Sequence, residues 1–367
     1  VKVLVYSDIH HGGGLRYGCI GEGGINSRLR ASVEVERYLL RDVVEEYNVN
    51  AVWFLGDYVE NSAVAHIDDF VRRGLIEALN WVNKKGVEVL ILVGNHDRFF
   101  KGFEGFGDIF SLFEMNEKIR VLRGSGVVDV KGLKVGFLGF ANNVEEGIER
   151  LSEEECDVVL VHRDIAGAVV FGRELKRGLS IEYLKSLKNV FAGHIHKPRR
   201  LSEGIWIVGS VRMIDMSDVV DGGERGYGIF DTDTGSFEMF ATDRRLVRLE
   251  FVGGGVKDFL DLIERGCVEC DCVVVDFKSN DESLFKELVK RREECMRRFG
   301  LENLVLVFSG VRVVSVVGSC DVVGLGSRYD RLKSFVAGAD VGALDRMELV
   351  DVGLEVLRSV EGSGERV

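Results

Sequence analysis

Five short segments place metal-ligand residue types directly after apolar runs: Asp8-Ile9-His10, Gly56-Asp57, Gly94-Asn95-His96-Asp97, His162 and Gly193-His194-Ile195-His196. Five of the seven histidines fall in these segments, where random placement would scatter them. Asp57, which follows Ala51-Val52-Trp53-Phe54-Leu55, is read as the centre of the set. A carboxylate has two oxygens and bridges two cations, which an imidazole cannot do. One ion is therefore assigned Asp8, His10, Asp57 and His196, and a second Asp57, Asn95, His162 and His194. Carboxylates, imidazoles and an amide oxygen suit manganese, iron or zinc better than a thiolate-seeking ion. Two divalent ions, Mn2+ first among them, are the expected cofactors. A pair of ions about 3.5–4 Å apart suits in-line displacement at phosphorus. His96, beside ligand Asn95, is expected to act as general acid to the leaving oxygen, worth about 10²–10⁴ in rate. Asp97 is expected to cap backbone amides and Asp164 to lie in a solvated loop.

The elements that position these residues can be read from apolar spacing. Residues 1–6, 51–55, 87–93, 158–161, 190–192 and 205–208 are short apolar runs typical of buried strands. In open α/β sheets, ligands gather at the carboxyl ends of such strands. Ala31 to Tyr47 and His66 to Lys85 carry helical stripes. Val127–Val130 and Lys134–Phe140 read as a hairpin around Gly132. The glycine-rich piece from Gly12 to Gly24 lacks the Gly-Lys-Ser/Thr ending of a phosphate loop and is expected to be a mobile loop over the site. His194 and His196 are expected to alternate on an extended segment, a small backbone shift aiming them at neighbouring ions. Gly253-Gly254-Gly255 is the linker candidate. Beyond it, Cys272–Phe277, a helix over Glu282–Phe299 and Leu304–Val317 form a small α/β unit without ligand-like strand ends. Residues 327–360 show helical periodicity. The expected organisation is 1–250, 256–325 and 327–360.

Composition narrows the class. A chain of 367 residues with 46% hydrophobic content is long enough for two or three cores. No apolar run is long enough to span a bilayer, and no signal-peptide pattern opens the chain, so a cytoplasmic location without a membrane partner is expected. Seven scattered cysteines do not suggest a disulfide framework; Cys267, Cys270 and Cys272 read as small buried hydrophobes. The net charge of −12 argues against a wholly basic surface. Local basic clusters stand out nonetheless: Lys197, Arg199 and Arg200; Arg244, Arg245 and Arg248; Lys290, Arg291, Arg292, Arg297 and Arg298. Flanking an acidic site, they would make a track for phosphates.

In order and spacing, the five motifs resemble the calcineurin-like metallophosphoesterases, over residues 1–245. The resemblance implies an α/β fold, a two-sheet sandwich with the metals at the strand ends, and the ligand roles given above. Gly209-Ser210-Val211-Arg212-Met213 and Glu224-Arg225-Gly226-Tyr227-Gly228-Ile229-Phe230-Asp231 further resemble the SbcD-type nucleases of DNA double-strand-break repair. That narrower resemblance implies a DNA substrate, a DNA-capping α/β domain, a helical segment that grips an SbcC-like coiled-coil ATPase, and a homodimer. Phe99 to Phe113, with the helix before it, is the candidate dimer contact. One departure stands at Glu60. Archaeal repair nucleases carry a supporting His there, and protein serine/threonine phosphatases an Asp that orients the catalytic His. Glu60 is therefore expected to orient His96, and a phosphatase or phosphodiesterase for a small or protein substrate is the alternative activity.

Overall fold

The computed structural model describes residues 1–20, 24–60, 69–98, 108–110, 117–140, 144–170, 173–242, 246–266, 272–278, 281–299, 301, 303–308 and 315–316. Contacts divide the chain into two units, one built on Val1–Arg248 and the other beginning at Leu249.

The first unit opens with β1 (Lys2–Tyr6) and α1 (Ser27–Tyr38). Asn26 starts α1 by accepting the Arg28 amide on its side chain, satisfying one of the helix's orphan donors. The helix runs on through a π turn, Leu39–Val43, into the short α2 (Val44–Glu46), then β2 (Ala51–Phe54), α3 (Asp69–Lys84), β3 (Glu88–Leu92) and β4 (Ile119–Leu122). The hairpin β5 (Ser125–Val130) and β6 (Leu133–Leu138) turns at Lys131-Gly132, both with positive φ, as a tight two-residue turn demands. After α4 (Val144–Glu153) and β7 (Val158–His162) come four two-residue strands, β8 (Ile165–Ala166), β9 (Val169–Val170), β10 (Arg173–Glu174) and β11 (Leu179–Ser180). Then follow α5 (Ile181–Lys185), β12 (Val190–Gly193), β13 (Arg199–Ser202), β14 (Ile205–Ile207), α6 (Met216–Asp221), β15 (Gly226–Asp231) and β16 (Ser236–Ala241).

Two six-stranded sheets result, ordered β16-β15-β1-β2-β3-β4 and β13-β14-β12-β7-β6-β5. β1 to β4 are parallel, as are β6, β7, β12 and β14. Alternation along each strand decides which core a side chain joins. Val3, Val5, Trp53 and Leu90 of the first sheet pack with Val135, Leu160 and Phe191 of the second between the sheets. Leu4, Tyr6, Val52, Phe54, Val89 and Ile91 face the other way, against Leu29, Val33, Leu79 and Val82 from the helices. The second sheet's outer face joins Leu151 and Leu184 of its own helices. This is the α/β two-sheet sandwich, and it brings the carboxyl ends of β1, β2, β3, β7 and β12 to one edge.

The remaining strands, β17 (Leu246–Phe251), β18 (Cys272–Phe277), β19 (Asn303–Phe308) and β20 (Ser315–Val316), form one sheet in that order, interleaved in the chain with α7 (Val256–Gly266), α8 (Glu282–Lys290) and α9 (Arg292–Phe299). Phe277 packs against Phe251 at 5.2 Å and Phe285 at 5.4 Å between ring centroids. The single helix expected over 282–299 is broken at Arg291, and β17 precedes the Gly253–Gly255 linker candidate. The helical segment 327–360, His66, most of the stretch Phe99–Phe113, Arg244, Arg245, Cys267 and Cys270 lie outside the described residues.

Candidate metal centre

The parallel β1–β2 ladder does not stop where the strands end. Asp8 N donates to Gly56 O at 2.9 Å and His10 N to Asp57 O at 3.1 Å. The two ligand-bearing loops thus run side by side. Asp8, His10 and Asp57 all hold positive φ, 50°, 47° and 58°, as does His194 at 77°. Left-handed backbone at a non-glycine residue costs of order 1–3 kcal/mol and persists only where the surroundings enforce it. Such turns aim successive side chains to one side, which an extended strand cannot do. The φ of His194 thus replaces the expected extended alternation and turns it away from His196. Gly94 is required where Asn95 enters: a Cβ there would lie 2.2 Å from Asp57 Oδ1.

The expected ligand atoms gather in two groups, Asp8 with His10 and His196, and Asp57 with His162 and His194, each within 4.8 Å; His10 also forms a third such group with Glu60 and His96. Asp57 Oδ2 lies 3.2 Å from His162 Nε2 and 3.6 Å from His10 Nε2, so one carboxylate reaches both groups. Asn95 Oδ1 stands 3.2 Å from the same His162 nitrogen. The residues expected to hold two ions are therefore brought together in the two sets read from the sequence.

The donor set fits divalent cations. His10 Nε2 is buried without a hydrogen-bond partner among the described residues, although it faces Asp57 and lies 3.9 Å from Asp8 Oδ1. His194 Nδ1 is buried and unpartnered in the same sense. Orphaned ring nitrogens are costly unless something takes their lone pairs, and converging nitrogen and carboxylate lone pairs are what a cation needs. Each imidazole has an oxygen close to its other nitrogen, although at His10 Nδ1 the contact lacks hydrogen-bond geometry. His162 Nδ1 donates to Leu55 O at 2.6 Å, and His196 Nδ1 meets Asp218 Oδ1 at 2.9 Å. Glu60 Oε2 lies 3.0 Å from His10 Nδ1, and Asp164 Oδ1 3.3 Å from His194 Nε2. Such outer partners fix which nitrogen faces a metal.

Charges in the centre are strongly coupled. Burial pulls the His162 imidazole down, but attraction and a hydrogen bond from Asp57 overcome it and push it up to about 9. Burial likewise opposes protonation of His196, and Asp218 pushes it up to about 9. Burial raises the Asp57 carboxyl, yet His162 and then His10 hold it well below the carboxylate range. Cation binding at these imidazoles therefore competes with proton binding.

Several expectations change. Glu60 engages His96 through its backbone, not its carboxylate: its carbonyl accepts from His96 Nδ1 at 2.5 Å, while the carboxylate serves His10. Asp164 is not merely a solvated loop residue, since it backs His194. Asp97 takes up amides, as expected: those of Asp57, Tyr58, Val59 and Gly94, at 2.7–3.3 Å. Residues 12–18 form turns, with Gly13 O accepting from the buried Arg212 guanidinium at 3.2 Å. Of the basic cluster, Lys197 is engaged by Asp221, whereas Arg199 and Arg200 stand exposed on β13. Asp218 carried no signal in the sequence, being 22 residues from His196. Arg98 and Arg163 were also missed. They meet at Phe140, whose carbonyl accepts from Arg98 at 3.1 Å, whose ring lies 5.0 Å from the Arg163 guanidinium, and which packs 5.7 Å from the His194 ring.

Comparison with known proteins follows the same lines. Residues 1–198 match the family model for calcineurin-like phosphoesterases. The chain is 25% identical over 219 residues to exonuclease subunit 1 of enterobacteria phage T4, covering 58% of this chain and 64% of the phage protein's length. Among solved structures, a dimetal phosphatase from Danio rerio is 13% identical with a TM-score of 0.37, over 62% of this chain and 91% of that one. The Pseudomonas putida nuclease MPE is 16% identical with a TM-score of 0.25, over 56% of this chain and 66% of that one. At scores this low the structural likenesses carry no argument.

Proposed function

This chain belongs to the calcineurin-like phosphoesterases, a family of metal-dependent hydrolases, and from that premise we propose that it is a phosphodiesterase acting on DNA ends with two manganese ions. The observation that carries the reading is the placement of Asp57 Oδ2 within 3.6 Å of imidazoles from both ligand groups. Asp8, His10, Asp57 and His196 would hold one ion, and Asp57, Asn95, His162 and His194 the other. When bound, such ions lower the pKa of water toward neutrality and offset charge developing at phosphorus. The protein's own part is to orient and to move a proton. His96 N donates to Asp57 Oδ1 at 2.9 Å, and its Nδ1 is held by the Glu60 carbonyl. With Nδ1–H committed to that carbonyl, Nε2 carries a transferable proton only in the imidazolium form, and from that form it would protonate the leaving oxygen.

DNA as substrate rests on the likeness to an exonuclease subunit and on cations beside the centre. Arg98 and Arg163 flank the His162 and His194 side, and Arg199 and Arg200 lie exposed close after His196. A polyanion would be drawn along them. By the same likeness the chain would act as one subunit of a larger nuclease; the SbcC-like coiled-coil ATPase bound through residues 327–360 and the pairing with a second copy are proposed from the resemblance of its motifs to the SbcD-type nucleases alone. The test sets linear double-stranded DNA against a chromogenic phosphodiester, each with Mn2+. Metal-dependent shortening of DNA from its ends is expected. Turnover of the small ester with no cutting of DNA would replace this reading with that of a small-substrate phosphodiesterase or phosphatase.

A further inference from the structure

Behind the ligand loops lies a second polar cluster that touches no candidate ligand atom. Glu36, on α1, is 1% exposed. A carboxylate taken that far from water is costly unless several donors surround it. Three do. His11 Nε2 lies 3.1 Å from Glu36 Oε2, the Tyr58 hydroxyl donates to the same oxygen at 2.9 Å, and the Tyr6 hydroxyl lies 3.5 Å from Oε1. His11 is held in turn through Nδ1, 2.7 Å from the Ser32 hydroxyl one helical turn before Glu36.

The positions of the donors matter more than their number. His11 is the neighbour of His10, Tyr58 is the neighbour of Asp57, and Tyr6 is two residues before Asp8. One carboxylate on one helix therefore ties together the two loops that carry Asp8, His10 and Asp57. Those loops also pair with each other, His11 N donating to Tyr58 O at 2.8 Å. The three ligand residues sit in left-handed backbone, a conformation that needs outside support. A helix stripe of Val33, Leu40 and Val43 would have packed more cheaply with an apolar residue at position 36, so the carboxylate needs a reason to be there.

We infer that Glu36 is a positioning residue for the metal centre: through His11 and Tyr58 it sets the spacing between the loop of Asp8 and His10 and the loop of Asp57, and so sets how tightly the ions are held. The inference rests on the reading of the site as a two-ion centre. It differs from the pinning of single imidazoles by Glu60, Asp164 and Asp218, because Glu36 acts on backbone placement and contacts none of the ligands.

The test is a Mn2+ titration of the metal-free full chain, followed by the electron paramagnetic resonance signal of free Mn2+, for the native protein, Glu36→Gln and Tyr58→Phe. Glu36→Gln keeps the shape but turns one acceptor into a donor facing other donors. Its Mn2+ affinity is expected to fall about 10–100-fold, the range for partners behind metal ligands, with a smaller fall for Tyr58→Phe. Turnover should return at high Mn2+ with KM for the small phosphodiester little changed. If both variants bind Mn2+ as the native protein does, the inference is overturned. It is also overturned if turnover stays low at saturating Mn2+ while the metal-free melting temperature falls in parallel, since that marks a packing role alone. Should Glu36→Gln fail to fold, Tyr58→Phe decides by the same two readings. A native protein that takes up no Mn2+ would instead sink the two-ion reading itself, so the two failures are distinguishable.

Discussion

Asp8, His10 and Asp57 leave the first sheet on left-handed backbone, whereas His162 is still the last residue of β7 and pairs in register with Gly193 of β12. The first sheet thus delivers its ligands from irregular loops, the second from a strand end and the turn directly after one. The supports differ accordingly. Side chains hold the first set: Asp97 collects the amides around Asp57, Arg212 binds the carbonyls of Ile9, His10 and Gly13, and Glu60 backs His10. On the second sheet a backbone carbonyl, that of Leu55, holds the strand-end His162, and only His194 and His196, in the turn after β12, are backed by side chains, Asp164 and Asp218. A ligand loop bends to wherever chemistry needs a carboxylate, but only with buried polar groups to stop it relaxing. A strand end needs no such help and is less adjustable. Asp97 shows the tension: burial and the nearby Asp57 charge push its carboxyl up to about 7, while the amide donors of Gly94 and Tyr58 pull it back.

The comparison breaks most completely at Asp57, which belongs to one side and serves both. Asp57→Ala should reduce metal-dependent hydrolysis to background and lower bound metal, read by elemental analysis of the purified protein. His194→Ala should likewise end hydrolysis. Full activity with intact metal content in Asp57→Ala would show that the two sides are independent and that Asp57 bridges nothing.

Next in size is His96→Ala. His96 lies on the first sheet's side yet holds no place in either ion's assigned set. The variant should keep both ions and lose about 10²–10⁴ in turnover on an ester with a poor leaving group, and much less on a nitrophenyl ester that needs no proton. Equal losses on the two esters would remove the general acid and make His96 a structural part of the Asp57 loop.

Legibility in the sequence follows the same division. The ligand types and the strands before them were legible because each motif is local: an apolar run, then Asp, Asn or His. The two-sheet sandwich was implied by the family likeness alone. What supports the ligands was not legible, because its partners are fixed only by the fold. Asp218 reaches His196 from the start of α6, and Glu36 hides in a helix whose Val35 and Leu39 spacing reads as ordinary packing. Glu60 was found by position but given the wrong atom, since sequence does not tell a side-chain partner from a carbonyl. The left-handed turn at His194 was missed because an alternating His-Ile-His looks like a strand.

Replaceable side-chain supports also allow a graded test. Asp218 holds His196 at 2.9 Å and is itself held by Arg225 at 3.5 Å and by the Ile214 amide at 2.7 Å. Asp218→Asn should weaken Mn2+ binding about 10–100-fold, lowering occupancy of the ion assigned to His196 while the ion beside His162 stays. No side-chain change can remove the Leu55 carbonyl in the same way. Calorimetry resolving one weakened and one unchanged site would sharpen the contrast between the two sides; equal weakening of both would dissolve it.

The smallest expected effect lies at the outer rim of the second side, at Arg163. Its Nε donates to Gly139 O at 3.2 Å, and its guanidinium lies over the Phe140 ring. Burial, with Arg98 nearby adding to it, draws the guanidinium below its ordinary value, against the pull of Asp164. Two like charges held together by carbonyls of one loop repel each other, and a phosphate between or beside them would relieve that repulsion. The first side has no such pair next to its ligands among the described residues; its buried Arg212 faces carbonyls. If DNA runs along the second side, Arg163→Ala should raise KM for an oligonucleotide several-fold at moderate salt, with a smaller change for a small phosphodiester that offers no flanking phosphate. Plotted logarithmically against salt, oligonucleotide affinity should lose about one unit of slope, as expected when one phosphate contact is removed. An unchanged slope with a matching KM rise on both substrates would mean that Arg163 only braces the Phe140 loop, and the DNA path would then be sought along Arg199 and Arg200 instead.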